Sequence, residues 1–181
     1  MNLEPKIIGQ SPNLEIPELQ CGINGVLRPL RETDLSQAYI DGMNSPEIKK
    51  FLMQPNMEPQ TKGSLIKYIR TNLESSDSIL FGLFVDKIHR GNIRLHNITP
   101  GSASLGIAIF DRNIWGKGWG SRSIKIISKF GCQKLKISKI LAGISNKNVS
   151  SIRAFKKAGY HIQSNNSTVS GSEIWEFPSP S

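Results

Sequence analysis

The stretch Asn113-Ile114-Trp115-Gly116-Lys117-Gly118-Trp119-Gly120-Ser121 decides how the rest of this chain is read. It sets three glycines at alternate positions between a β-rich segment ending near Phe110 and a long helical stretch after Ser121. Glycine permits positive φ and lets backbone come close to a ligand. The first N–H groups of a following helix have no intrahelical partner, and with the helix dipole they form a site for an anion. Lys117 adds a full positive charge inside the turn. Two familiar phosphate loops are excluded. A Walker loop needs four residues between its glycines and a closing Gly-Lys-Ser/Thr. The dinucleotide fingerprint needs G-x-G-x-x-G opening a βαβ unit, whereas the spacing here is G-x-G-x-G. On its own that spacing serves equally for a tight, closely packed turn.

Toward the N-terminus, Ser78 to Val85 reads as a strand, Asp86 to Arg90 as a hairpin turn, and Gly91 to Ile98 as a second strand with Ile93 and Leu95 on one face. Thr99-Pro100-Gly101 is another turn and Ala103 to Phe110 a third strand, so the three form an antiparallel meander. Leu65, Ile66, Ile69 and Leu73 fall at helical spacing and predict a helix over 61–74. Pro46 suits the first turn of a short helix from Glu47 to Met53. Leu35, Ala38 and Tyr39 make a helical stripe, with Asp34 as its N-cap, and Val26 to Leu30 is a strand. Residues 1–22 hold Pro5, Pro12 and Pro17 without sustained periodicity and read as an extended arm before a single domain over 23–178. Toward the C-terminus, Ile124, Ile127 and Phe130 line a helix with Gly131 near its end. Lys139 to Ile144 is a strand, and Asn148 to Ala158 a helix stopped by Gly159. Two last strands, Tyr160 to Gln163 and Glu173 to Phe177, are joined by the polar segment Ser164 to Ser172. The order describes an α+β domain with one mixed sheet.

At 181 residues the chain is long enough for one domain with a real core. Its longest apolar run, Ile79 to Val85, is far too short to span a bilayer, and no secretory leader opens the sequence. Cys21 and Cys132 are too few for a disulfide framework, and nothing around them is spaced like a metal site. A cytoplasmic protein without metal or membrane contact is expected, as a monomer or homodimer. The formal charge is +9, which asks for an anionic partner: nucleic acid, a membrane surface or a phosphate-rich small molecule. The excess is regional. Arg112 to Ser172 contains twelve Lys and Arg and no Asp or Glu, leaving eleven bases against fourteen acids elsewhere. A solvated basic face would account for this too. The basic region coincides with the glycine turn and its helix, however, and basic–aromatic interleaving of the RNA-binding kind is missing. That favours a phosphate-rich cofactor over nucleic acid.

The glycine stretch resembles the Gln/Arg-x-x-Gly-x-Gly/Ala cofactor motif of the GNAT N-acetyltransferases, with Asn113 in the Gln/Arg position. Three further segments resemble that family in the same order: Val26 to Leu35 its first strand and helix start, Gly91 to Leu95 its third strand, and Asn146 to Tyr160 its late Asn…Ser…Lys-x-x-Gly-aromatic signature. The resemblance implies a mixed, mostly antiparallel sheet of six to seven strands flanked by about four helices, with two central strands splayed to hold acetyl-CoA. It implies direct acetyl transfer from acetyl-CoA to an amine. Asn113, Trp115, Gly116, Lys117, Gly118, Trp119, Gly120 and Ser121 would form the pyrophosphate turn, its backbone amides from Gly116 to Ser121 being the donors. Ile109 and Phe110 would offer backbone to the pantetheine arm, and Asn148, Ser151 and Phe155 would lie on the cofactor side of the last helix. The details resemble the subgroup acting on ribosomal-protein N-termini, polyamines and amino sugars. A small-molecule amine, closest to an amino sugar, is the expected acceptor. The alternatives are a ribosomal-protein N-terminus and, more remotely, a non-catalytic coenzyme A or nucleic-acid binder.

Direct transfer needs a neutral amine, a polarised thioester and a proton for the leaving thiolate. Many relatives place a Tyr acid where this chain has Phe155, and a Glu base on the meander's last strand where it has Ser104. His96 is the first choice of base, because an imidazole titrates near the working pH. Asn97, acting through a water, and Glu173 are the other candidates. Tyr39 and Trp175 could stack on an acceptor ring, with Asn44 nearby, or pack the interior, which is the commoner role for each; Glu47 could attract a cationic acceptor or simply lie on a solvated face. His89 and His161 read as surface positions.

Overall fold

The meander forms the middle of the sheet. The computed structural model describes residues 16–51, 58–163 and 172–178. Its strands are β1 (Leu19–Gln20), β2 (Gly25–Pro29), β3 (Ile79–Val85), β4 (Ile88–His96), β5 (Ala103–Ile109), β6 (Lys139–Ser145), β7 (His161–Ile162) and β8 (Ser172–Pro178). Its helices are α1 (Gln37–Asn44), α2 (Pro46–Lys49), α3 (Lys62–Leu73), α4 (Trp119–Lys134) and α5 (Val149–Ala158). The sheet order is β1-β2-β3-β4-β5-β6-β8-β7, and every neighbouring pair is antiparallel except β5 and β6. The architecture is the mixed, mostly antiparallel α+β layout expected, with eight strands because a two-residue strand closes each edge. One of these lies within the predicted arm: Leu19 and Gln20 pair with Leu27 and Val26, and Cys21 is fully buried. Residues 1–15 fall outside the described residues.

Local chemistry moves several boundaries. The β3–β4 turn is only Asp86-Lys87, both at positive φ (51° and 64°), which is the mirror-image geometry that matches strand twist in a two-residue hairpin. Strand β4 therefore starts at Ile88 rather than Gly91, and His89 becomes a strand residue paired with Phe84. Ser36, not Asp34, caps α1, its Oγ accepting from the Tyr39 N–H at 3.2 Å. Asp34 instead accepts two bonds from Arg28, at 2.6 and 2.8 Å. Burial raises its carboxyl pKa, but these bonds and the Arg31 N–H outweigh that and hold it below the usual carboxylate range. Thr61 caps α3 as its Oγ1 accepts from Ser64 N–H, and Asn148 caps α5 through Ser151 N–H. Gly159 ends α5 at φ +106°.

The two faces of the sheet carry separate cores. Helices α4 and α5 cover one face, where Phe81, Ile93, Leu95, Leu105, Ile124, Ile127 and Ile140 are buried. Helices α1 and α3 cover part of the other, with Leu30, Tyr39, Leu65, Ile69, Leu80, Phe84 and Phe110. Between them lies the feature that positions the site. The ladder of β5 with β6 has only two residue pairs, Ala103 with Ile140 and Ser104 with Leu141. Beyond them the strands part, because β5 stays paired with β4 along Ser104–Ile109 and β6 with β8 along Lys139–Ser145.

Candidate active site

The open end of this split meets the glycine turn. A 3-10 turn (Arg112–Ile114) leads into it, fixed by Asp111 Oδ1 accepting from Asn113 N–H at 2.8 Å and by buried Ile114. Gly116 and Gly118 have φ of +73° and +80°, so both need glycine's freedom. A Cβ at Gly116 would meet nothing within 4 Å, so the outside of the turn is open. The first N–H of α4 to find a backbone acceptor is that of Arg122, on Gly118 O at 3.1 Å. The N–H groups from Gly116 to Ser121 are thus left for a ligand, at the positive end of a 16-residue helix. This donor set, with Lys117 beside it and no carboxylate in the following fifty residues, fits a diphosphate.

Side chains around the turn serve it indirectly. Trp115 Nε1 donates to Ile109 O at 2.8 Å, so the strand end offers the remaining backbone groups of Ile109 and Phe110. The Trp119 side chain packs away from the turn. Its ring lies against Gly22 and Gly25 under the Arg122 guanidinium, 4.4 Å from the ring centre, and only its N–H serves the turn. Ser121 is buried, its Oγ donating to Gly118 O at 3.1 Å. Gly120 faces α5, where a Cβ would make an ordinary contact 3.8 Å from Ala154. Asn148 spends its carbonyl on the α5 cap, beside partly buried Ser151. Phe155 is 2% exposed and edge-on to Tyr160, so it packs the core where a donor side chain was sought. Arg90 pairs with Asp111, and Arg112 with Glu47, tying β4 and α2 to the turn. The Arg112 hydrogen bond lowers the Glu47 pKa; Glu47 is thereby committed and does not stand ready for a cationic acceptor.

Strand alternation sorts the remaining residues. On β4, Ile93 and Leu95 face the α4/α5 core, which puts Asn92, Arg94 and His96 on the opposite face. Their partners on β5 are Ala108, Gly106 and Ser104. His96 and Ser104, the two candidate catalytic residues, are therefore brought directly opposite one another, at the last pair before the split. Burial lowers the His96 pKa and the Arg94 charge lowers it further, so the ring is neutral at neutral pH. Gly106 is exposed, and a Cβ there would meet nothing within 4 Å. The same holds for Gly143 on β6, which continuation of the register sets across the split on the same face. The split is thus bare of side chains at this level and open on the α1/α3 side.

The structure sorts the acceptor-side candidates. Tyr39 is fully buried, its hydroxyl accepting from Asn92 Nδ2 at 2.7 Å, and it cannot stack on a ligand. Trp175 is 5% exposed and lies on the α4/α5 face, in register with Ala142. Glu173 shares that face, in register with Ile144. Asn44 holds the Gln60 backbone by two 2.7 Å bonds and is committed to that link. Asn97 is an exposed turn residue at φ +51°. His161 is exposed as expected, but His89 is buried: its ring stacks on Phe84 and stands edge-on to Tyr39 and Phe110. Its Nε2 donates to Asn92 Oδ1 at 2.8 Å, and desolvation lowers its pKa. A shallow cavity of about 620 Å³ at the β1–β2–β3 edge, near Arg28 and Phe84, joins none of these residues. Among the described residues no cluster of ligating side chains suits a metal ion, and no helix is long and apolar enough to cross a membrane.

Residues 26–161 match the family model described as an acetyltransferase (GNAT) domain. The probable N-acetyltransferase YjcK of Bacillus subtilis (strain 168) is 28% identical over 166 residues, covering 83% of this chain and 88% of that protein. Among solved structures, RimL, a ribosomal L7/L12 alpha-N-protein acetyltransferase in complex with coenzyme A, superposes with a TM-score of 0.77 at 13% identity, covering 90% of this chain and 98% of that one. Spermidine N-acetyltransferase from Vibrio cholerae, in complex with CoA and spermine, superposes with a TM-score of 0.71 at 17% identity, covering 86% and 96%. At these identities both structures are likenesses of fold.

Proposed function

The chain belongs to the GNAT acetyltransferase family and is an acetyl-CoA-dependent N-acetyltransferase, and on that premise we propose that its acceptor is the primary amine of a small molecule, an amino sugar or a similar amine. The observation carrying this reading is the bare split between β5 and β6. Gly106 and Gly143 leave it open toward the α1/α3 face, while the free N–H groups of the glycine turn lie at its mouth.

Acetyl-CoA, when bound, supplies an activated acyl group whose carbonyl carbon an amine can attack. The chain's own residues divide the remaining work. Backbone N–H groups from Gly116 to Ser121 and Lys117 would hold the diphosphate, and the basic residues of α4 and α5 would attract the remaining phosphate. The backbone groups of Ile109 and Phe110 that the Trp115 bond leaves over would orient the pantetheine arm. His96, held neutral by burial, takes a proton from the incoming ammonium so that a neutral amine attacks. Ser104, directly across from it, orients the amine or a bridging water. With Phe155 where relatives carry a Tyr, no side chain there donates a proton to the departing sulfur, and solvent does so.

The test has two arms. Titration of acetyl-CoA by calorimetry should show binding; none at millimolar ligand overturns the reading. A thiol-release assay should then show turnover with amino sugars exceeding that with N-terminal ribosomal-protein peptides. The reverse order would assign the chain to protein N-termini instead.

A further inference from the structure

The acceptor face carries one charge that the reading above does not use. Arg94 lies at the centre of β4, between Leu80 on β3 and Gly106 on β5, directly beside the open face of the split. It is half-buried, as are Arg28 and Arg90. Those two are each ion-paired, with Asp34 and Asp111. Arg94 has no carboxylate within ion-pair distance among the described residues. It is nonetheless held firmly. Its Nε donates to Ser78 Oγ at 2.9 Å, Ser78 Oγ donates to Asn72 Oδ1 at 2.7 Å, and Asn72 Nδ2 donates to Tyr68 O at 2.8 Å. Ser78 and Asn72 are themselves buried, and the guanidinium lies 5.7 Å over the Tyr68 ring. Every bond in this chain grips the arginine from behind. Its terminal nitrogens have no carboxylate partner among the described residues; the Tyr68 hydroxyl lies close enough to interact with the guanidinium, and hydrogens are left over for carboxylate or phosphate oxygens, which a guanidinium binds in pairs. Withdrawing a guanidinium from water without a counter-ion is costly, and a bound anion removes that cost.

Resting on the acceptor reading above, we propose that Arg94 selects an acceptor that carries an anionic group, phosphate or carboxylate, besides its amine. A polyamine would instead bring its own positive charge against it.

The experiment compares glucosamine 6-phosphate, glucosamine, 6-amino-6-deoxygluconate and spermidine as acceptors at one ionic strength. The phosphorylated and carboxylated sugars separate the two sources of negative charge. The expected result is a kcat/KM for at least one anionic sugar about tenfold or more above glucosamine, carried by KM, with spermidine lowest. In Arg94→Gln that ratio, taken within the variant, falls to near one; Arg94→Lys retains part of it, and unchanged melting temperatures show that both variants fold. A ratio near one in the unaltered protein, or one that survives in Arg94→Gln, overturns the proposal. If acetyl-CoA binds but none of these amines is acetylated, the amino-sugar reading fails and Arg94 is judged by NMR. In the protein saturated with coenzyme A, an Arg94 Nε–Hε resonance moved by glucosamine 6-phosphate and not by glucosamine supports the assignment; one moved by neither overturns it.

Discussion

The same central strands present two very different faces. Toward α4 and α5, β4, β5 and β6 show Ile93, Leu95, Leu105, Ile140 and Ala142, all nearly or fully buried. Toward α1 and α3 they show Asn92, Arg94, His96, Ser104 and the glycines 106 and 143. One face is closed by packing, and the other is kept open by polar and absent side chains. The difference separates two tasks. On the proposed reading, the cofactor would be held at the end of the split by backbone, which any sequence with the right glycines can supply. The acceptor would be chosen on the open face by individual side chains.

The largest expected effect is on that open face. Replacing His96 with Gln should lower kcat about 100-fold or more while leaving the acetyl-CoA Kd unchanged. In the unaltered enzyme kcat/KM should fall with acid only below the ordinary imidazole range, since burial and Arg94 depress the His96 pKa. A Kd that moves with kcat in His96→Gln would merge the two tasks. Next comes Gly106→Leu, which puts a side chain into space where glycine's Cβ would meet nothing. Acetyl transfer should drop about 100-fold, in a thiol-release assay, because approach of the amine is blocked. Calorimetry should again find cofactor binding intact.

On the other side of the division, Gly118→Ala forces an L-residue into a left-handed conformation at φ +80°. That costs about 1–2 kcal/mol, so acetyl-CoA affinity should fall by about 30-fold at most if the strain is relieved by distorting the turn. The acceptor KM should not change. The smallest effect belongs to His89 beneath both sites. Its pKa is lower folded than unfolded, so its neutral form favours the fold above about pH 6.5 and stability is lost as pH falls below that. The melting temperature should drop between pH 7.5 and 5.5. That drop should shrink in His89→Phe, although the variant starts lower because Asn92 loses its donor.

How much of this was legible in the sequence follows the same division. The glycine turn, α4, α5 and the meander are local patterns: spacing, caps and alternation within a few residues. They appear where the residues place them apart from the start of β4, and the split is implied by the family resemblance. The acceptor face was read less well because it depends on register between distant segments. Trp175 and Tyr39 could be read as stacking or as packing residues, and only the fold decides for packing: alternation turns one into the α4/α5 core and α1 drives the other against Phe110 and His89. His89 looked exposed because the hairpin turn was drawn too long; a turn of two left-handed residues pulls it into β4. Arg94 gave no signal at all, since its isolation from carboxylates is visible only once Ser78, Asn72 and Gly106 are placed around it. His96 and Ser104 were named separately, and the register that pairs them is a property of the folded sheet.

The most direct test of this account is a crystal structure of the protein with coenzyme A and an unreactive acceptor analogue. It should place the sulfur where β5 and β6 part, level with Gly106, with the diphosphate on the N–H groups of Gly116 to Ser121. The acceptor should enter from the α1/α3 face, within reach of His96. A sulfur elsewhere, or an acceptor entering from the α4/α5 face, would contradict it.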